Sequence, residues 1–170
     1  MRTKRILVLI LALAAAAILQ STIVGRPILL GARPDLVLLL VVTYSVVRGV
    51  GEGLLGGIIG GFMVDMLSAV PFGTATLGMG LIGLLTGLGD ANVYRANFMI
   101  PLVAVFLATV FYHSFLMLAL QADGRTVEWI STLALQTIPG AFMNALLTPL
   151  AFYLVRRFAY PGEDEERYQW

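Results

Sequence analysis

The residues able to do chemistry in this chain are few, and most stand in apolar surroundings. Gln20, Asp65, His113 and Asn144 each fall within a long hydrophobic run. No nucleophile lies at motif spacing from a base, and neither an HExxH nor a GxSxG sequence occurs, so the sequence offers nothing for intramembrane catalysis and is read as non-enzymatic. With no cysteine, one histidine and ten scattered carboxylates, it offers no thiolate, disulfide or clustered metal site, and no cofactor is expected. The remaining chemistry is hydrogen bonding. An aspartate deep in a bilayer costs about 2.5–3.5 kcal/mol on insertion scales, so Asp65 is expected to face a partner or a cavity rather than lipid.

Composition identifies the elements that must position these groups. Over 170 residues the chain is 59% hydrophobic and 12% charged, with a mean hydropathy of +0.89, too apolar for an ordinary soluble domain. The expected class is an all-α integral membrane protein. The net charge of +1 says nothing about nucleic acid, but no basic run is long enough to track a phosphate backbone, so no nucleic-acid partner is expected. Six apolar segments, about 6–24, 36–47, 51–67, 74–88, 100–120 and 130–155, predict a compact six-helix transmembrane bundle within residues 1–160. An acidic tail, 161–170, follows as a disordered or docking peptide. A cleaved signal peptide is the rival reading of the first segment. The apolar run continues past the small residues Ala14–Ala17, however, so an uncleaved helix is preferred. The second segment is short for a span, and Pro34-Asp35 ahead of it reads as a first helical turn, where an acid favours the dipole. Residues 69–73, with Pro71 and Gly73, read as a tight turn.

The third segment carries the strongest spacing. Gly49, Gly53, Gly57, Gly61 and Asp65 recur at i, i+4, a step that drifts only about 40° around a helix. Gly53, Gly57 and Gly61 therefore form a flat helix-packing seam that ends in a charge. The fourth segment, with Gly78, Gly80, Gly83 and Gly87, is able to lie against it.

Six spans place Arg2, Lys4, Arg5, Arg48, Arg95, Arg156, Arg157 and Arg167 on the side of the termini and leave Arg26, Arg33 and Arg125 opposite. That asymmetry predicts that both termini are cytoplasmic, with Trp129 and Tyr160 as interfacial anchors. Counting rise per residue puts Gln20, Asp65, His113 and Asn144 at one level, roughly 18–22 Å above the inner ends of their helices. They are expected to form a polar cluster in the outer half of the membrane, with Asn144 the donor nearest Asp65 in height. The alternative is that each satisfies a nearby backbone carbonyl or hydroxyl independently.

Together these residues resemble a known family. Leu19-Gln20 closing the first helix, Arg33-Pro34-Asp35-Leu36 opening the second, Gly57-Gly61-Asp65 leading to Gly73, and Asn144 with Pro149 ahead of Arg156-Arg157 look like the rod shape-determining protein MreD, over nearly the whole chain. His113 departs from the second acid that family members often carry in the fifth helix. The resemblance implies a multi-pass inner-membrane scaffold of the bacterial elongation machinery, with the membrane-anchored MreC as the closest partner. The actin-like MreB, the polymerase RodA and a penicillin-binding transpeptidase belong to the same assembly; pairing of the protein with itself is left open. The family is also similar in helix arrangement to the substrate-binding subunits of vitamin importers, which keeps a small-solute importer subunit as the alternative function.

Overall fold

The computed structural model describes residues 2–22, 33–89 and 99–159, and every regular element among them is helical. Arg26, Arg95, Tyr160, Arg167, most of the first connector and the acidic tail lie outside these residues. The helices are α1 (Arg2–Thr22), α2 (Leu36–Arg48), α3 (Val50–Leu67), α4 (Thr74–Gly87), α5 (Met99–Ala122) and α6. The last opens as Trp129–Thr132, widens into a π turn over Leu133–Thr137 and continues as Ile138–Ala159. The π turn lies just ahead of Pro139, whose missing N–H interrupts the regular i→i−4 ladder.

This is an all-α integral membrane protein, and its described residues form a six-helix bundle. Among the described residues, Val50–Leu67, Met99–Ala122 and Trp129–Arg157 are long and apolar enough to cross a bilayer, whereas α2 and α4 are shorter apolar helices. At 13 and 14 residues, α2 and α4 extend only about 20 Å, against roughly 30 Å of hydrocarbon.

Helix α2 is the hub. Its sequence, LVLLLVVTYSVVR, is apolar nearly all round, and it packs against α1, α3, α4, α5 and α6. Val37, Leu38, Val41 and Val42 are essentially inaccessible, and Leu13, Met79, Ile82 and Val105 join them in the core. The faces turned away from the core stay apolar, with Leu11, Phe62, Met66, Leu107, Leu146 and Leu150 exposed. In water such surfaces would be a liability, whereas in a bilayer they meet lipid tails.

Glycines set two of the connections. Between α2 and α3 lies the single residue Gly49, at φ +84°, a conformation that side-chain-bearing residues rarely adopt. One turn to either side, Glu52 accepts from Arg48 Nε at 2.8 Å, Arg48 Nη2 at 3.0 Å and Tyr44 Oη at 2.7 Å, which pins this reversal. At the opposite end, Gly73 at φ +94° leads into α4, and Thr74 bonds back to Pro71 O through both its N–H and its hydroxyl.

The most extensive contact joins α3 to α4. A Cβ added at Gly57 would run into Met79 O, one at Gly61 into Ala75 O, and one at Gly53 would lie 2.6 Å from Gly83 O. On α4 the facing positions Ala75, Met79, Gly83 and Gly87 repeat the same four-residue step, so the two backbones meet along matching ridges.

Candidate functional site

The short helix α2 begins inside the bundle. Asp35, its N-cap, is 5% exposed and contacts Asn144 of α6, which in turn reaches Thr109 near the middle of the 24-residue α5. A helix start leaves backbone N–H groups without intrahelical partners, and at this depth protein atoms must supply the acceptors. Three side chains do so. Asp35 Oδ1 accepts from Leu38 N at 2.9 Å, Gln20 Oε1 of α1 from Val37 N at 3.2 Å, and Asn144 Oδ1 from Asp35 N at 2.9 Å. The amide of Asn144 donates to Thr109 Oγ1 at 3.1 Å, and that hydroxyl donates to Val105 O. Both Asn144 and Thr109 are fully buried.

A second set closes the start of α4. Asp65, 4% exposed near the end of α3, accepts from Ala75 N and Thr76 N, both at 2.9 Å, and from Thr76 Oγ1 at 2.6 Å. A carboxylate beside three converging donors at a helix N-terminus is favoured by direct hydrogen bonding and by the helix dipole together.

This arrangement corrects the single polar cluster read from the sequence. Asp65 and Asn144 do not hydrogen-bond; each caps a different helix, because the unsatisfied N–H groups of a buried helix start compete better for a carboxylate than a neutral amide does. Gln20 joins Asn144 at α2 rather than Asp65. His113 donates from Nδ1 to Thr109 O, 3.1 Å away on its own helix. Asp35 stands at the N-cap, not within a first turn. Pro149 is exposed on α6 and belongs to neither set, while Gly53, Gly57 and Gly61 lie on the α3 face against α4.

Thr76 and Thr109 were absent from the sequence reading. A threonine in an apolar helix usually bonds its own preceding turn, so nothing in its spacing marks it as a partner for a distant side chain.

Beside the α2 cap is a cavity of about 440 Å³ whose polar wall is Gln20, Ser21, Arg33, Asp35, Ser68 and His113. Part of the motif Arg33-Pro34-Asp35 thus both starts α2 and lines the cavity. The site's polar groups tie helices together and surround this space.

The family model of the rod shape-determining protein MreD matches residues 1–158. No curated protein and no solved structure matches the chain.

Proposed function

Because this chain belongs to the rod shape-determining protein MreD family, we propose that it is a non-catalytic membrane scaffold of the cell-elongation complex, binding MreC and supporting side-wall peptidoglycan synthesis. In this reading it sits in the inner membrane with six spans and both termini cytoplasmic, in an assembly that includes MreB, RodA and a penicillin-binding transpeptidase. The observation that carries it is the extent of the family match, which runs through all six helices rather than one motif. The internal use of the polar groups agrees with a structural role, since Asp65 and Asn144 are both engaged in holding helices together. Residues 161–170 are read as an acidic cytoplasmic tail.

The cavity favours a second reading, a membrane subunit that binds a small solute for import. Affinity purification from membranes followed by mass spectrometry separates the two. MreC in the eluate supports the scaffold; an ATPase-coupled transmembrane subunit in its place supports the importer.

A further inference from the structure

Capping accounts for Asp65 and Asn144, yet it leaves the 440 Å³ cavity with hydrogen-bonding capacity that the helix caps do not exhaust. The volume lies within the range of about 300–1,000 Å³ typical of small-ligand sites. Its wall is assembled from separate parts of the chain: Gln20 and Ser21 of α1, Arg33 and Asp35 ahead of α2, Ser68 after α3 and His113 of α5.

Two of these groups are unspent donors. Ser68 Oγ is buried and has no hydrogen-bond partner among the described residues. The Arg33 guanidinium is exposed, with no ion pair or hydrogen bond among the described residues. Two others are acceptors. His113 uses Nδ1–H on Thr109 O, so Nε2 is the ring nitrogen left for a ligand. Asp35 uses Oδ1 on Leu38 N, with the Gln20 amide and the Val37 N–H also beside its carboxylate, and the two oxygens together still have room for one further donor.

A guanidinium and a hydroxyl suit a phosphate, whereas a carboxylate and an imidazole nitrogen suit an ammonium N–H. A ligand with only one of the two charges would leave part of the wall desolvated and unpaired. We therefore propose that the cavity binds a zwitterionic phosphate-and-primary-ammonium group, the chemistry of ethanolamine phosphate, presented either as a phospholipid head group or as a free solute. The apolar part of the wall includes Val64 and Leu67 of α3, and Leu67 is 54% exposed, so the lining includes an apolar side chain that also faces outward, where an acyl chain would lie.

The test uses the purified full-length chain in detergent, with native mass spectrometry and thermal unfolding as readouts. The probes are phosphatidylethanolamine, phosphatidylcholine and phosphatidylglycerol of identical acyl chains, and soluble O-phosphoethanolamine. Phosphatidylcholine keeps both charges but has no ammonium N–H, and phosphatidylglycerol has no ammonium. The expected result is retention of phosphatidylethanolamine and a raised unfolding temperature with it, neither shared by the other two lipids. Arg33→Gln and Ser68→Ala should each weaken retention, the former about tenfold or more. Arg33 is exposed and the Ser68 hydroxyl has no partner among the described residues, so both variants should unfold like the parent without lipid. Stabilisation by O-phosphoethanolamine alone, lost in the same variants, would support the same chemistry from a free source. Equal retention of the three lipids, no effect of any probe, or unchanged binding in both variants would overturn the proposal. None of these outcomes depends on whether MreC binds, so the scaffold reading stands or falls separately.

Discussion

Asp65 Oδ2 takes two hydrogen bonds from one residue, Thr76, at 2.9 Å from its backbone N–H and 2.6 Å from its hydroxyl, across eleven positions of sequence. Oδ1 takes the N–H of Ala75. Both carboxylate oxygens are therefore in use, and the side chain closes α4 onto α3.

That geometry ranks the Asp65 variants. Asn has one acceptor oxygen, and its NH₂ would face an N–H donor, so Asp65→Asn should destabilise by about 1–3 kcal/mol. Asp65→Leu leaves all three donors without that partner and should cost more, while Thr76→Val removes only the hydroxyl bond and should cost about 1 kcal/mol. Denaturation of each purified variant in one detergent gives the order. Parental stability for Asp65→Asn would show that the second oxygen contributes nothing.

Replacing Gly57 or Gly61 by Leu drives a side chain into the α4 backbone at Met79 O or Ala75 O. The expected cost is on the order of 1–3 kcal/mol or more, seen as loss of folded protein from membranes. Gly51 is the internal control, because it is exposed and a Cβ there meets nothing within 4 Å. Gly51→Leu should accumulate normally; equal loss in all three variants would point to insertion rather than packing.

Tyr112 is 1% exposed, and its hydroxyl has no hydrogen-bond partner among the described residues. Removing an unpaired buried oxygen relieves a desolvation cost without leaving a group unsatisfied. Tyr112→Phe should thus match the parent or exceed it by up to about 1 kcal/mol in the same unfolding measurement. A loss of more than that would reveal a partner for the hydroxyl.

For topology, reporter fusions after Ala69 and Asp123 should read as external and one after Gly49 as cytoplasmic. In the fold, the α3–α4 turn and the end of α5 lie at the opposite end of the bundle from Gly49. A cytoplasmic signal after Asp123 would mean that the number of spans differs from six.

What the sequence by itself determined was the class and the family. Long continuous apolar runs with few charges read as membrane helices, because a helix satisfies its backbone polar groups within its own segment, and the ordered motifs from Leu19-Gln20 to Arg156-Arg157 already resembled MreD. The i, i+4 glycines were equally legible, since a helical step of four residues turns a sequence pattern into a face without reference to anything else. Tertiary structure decided which polar groups meet. Counting rise placed Asp65, Asn144, His113 and Gln20 at one height, but height is one coordinate of three, and the rotation and neighbours of each helix are set by packing. Only in the fold does α2 begin in the interior, so that Asn144 and Gln20 serve its free N–H groups while Asp65 serves those of α4. Thr76, Thr109 and Ser68 were invisible beforehand for the same reason: a hydroxyl in an apolar run acquires its role from whatever the packing brings beside it, or, at Ser68, from the partner it fails to bring.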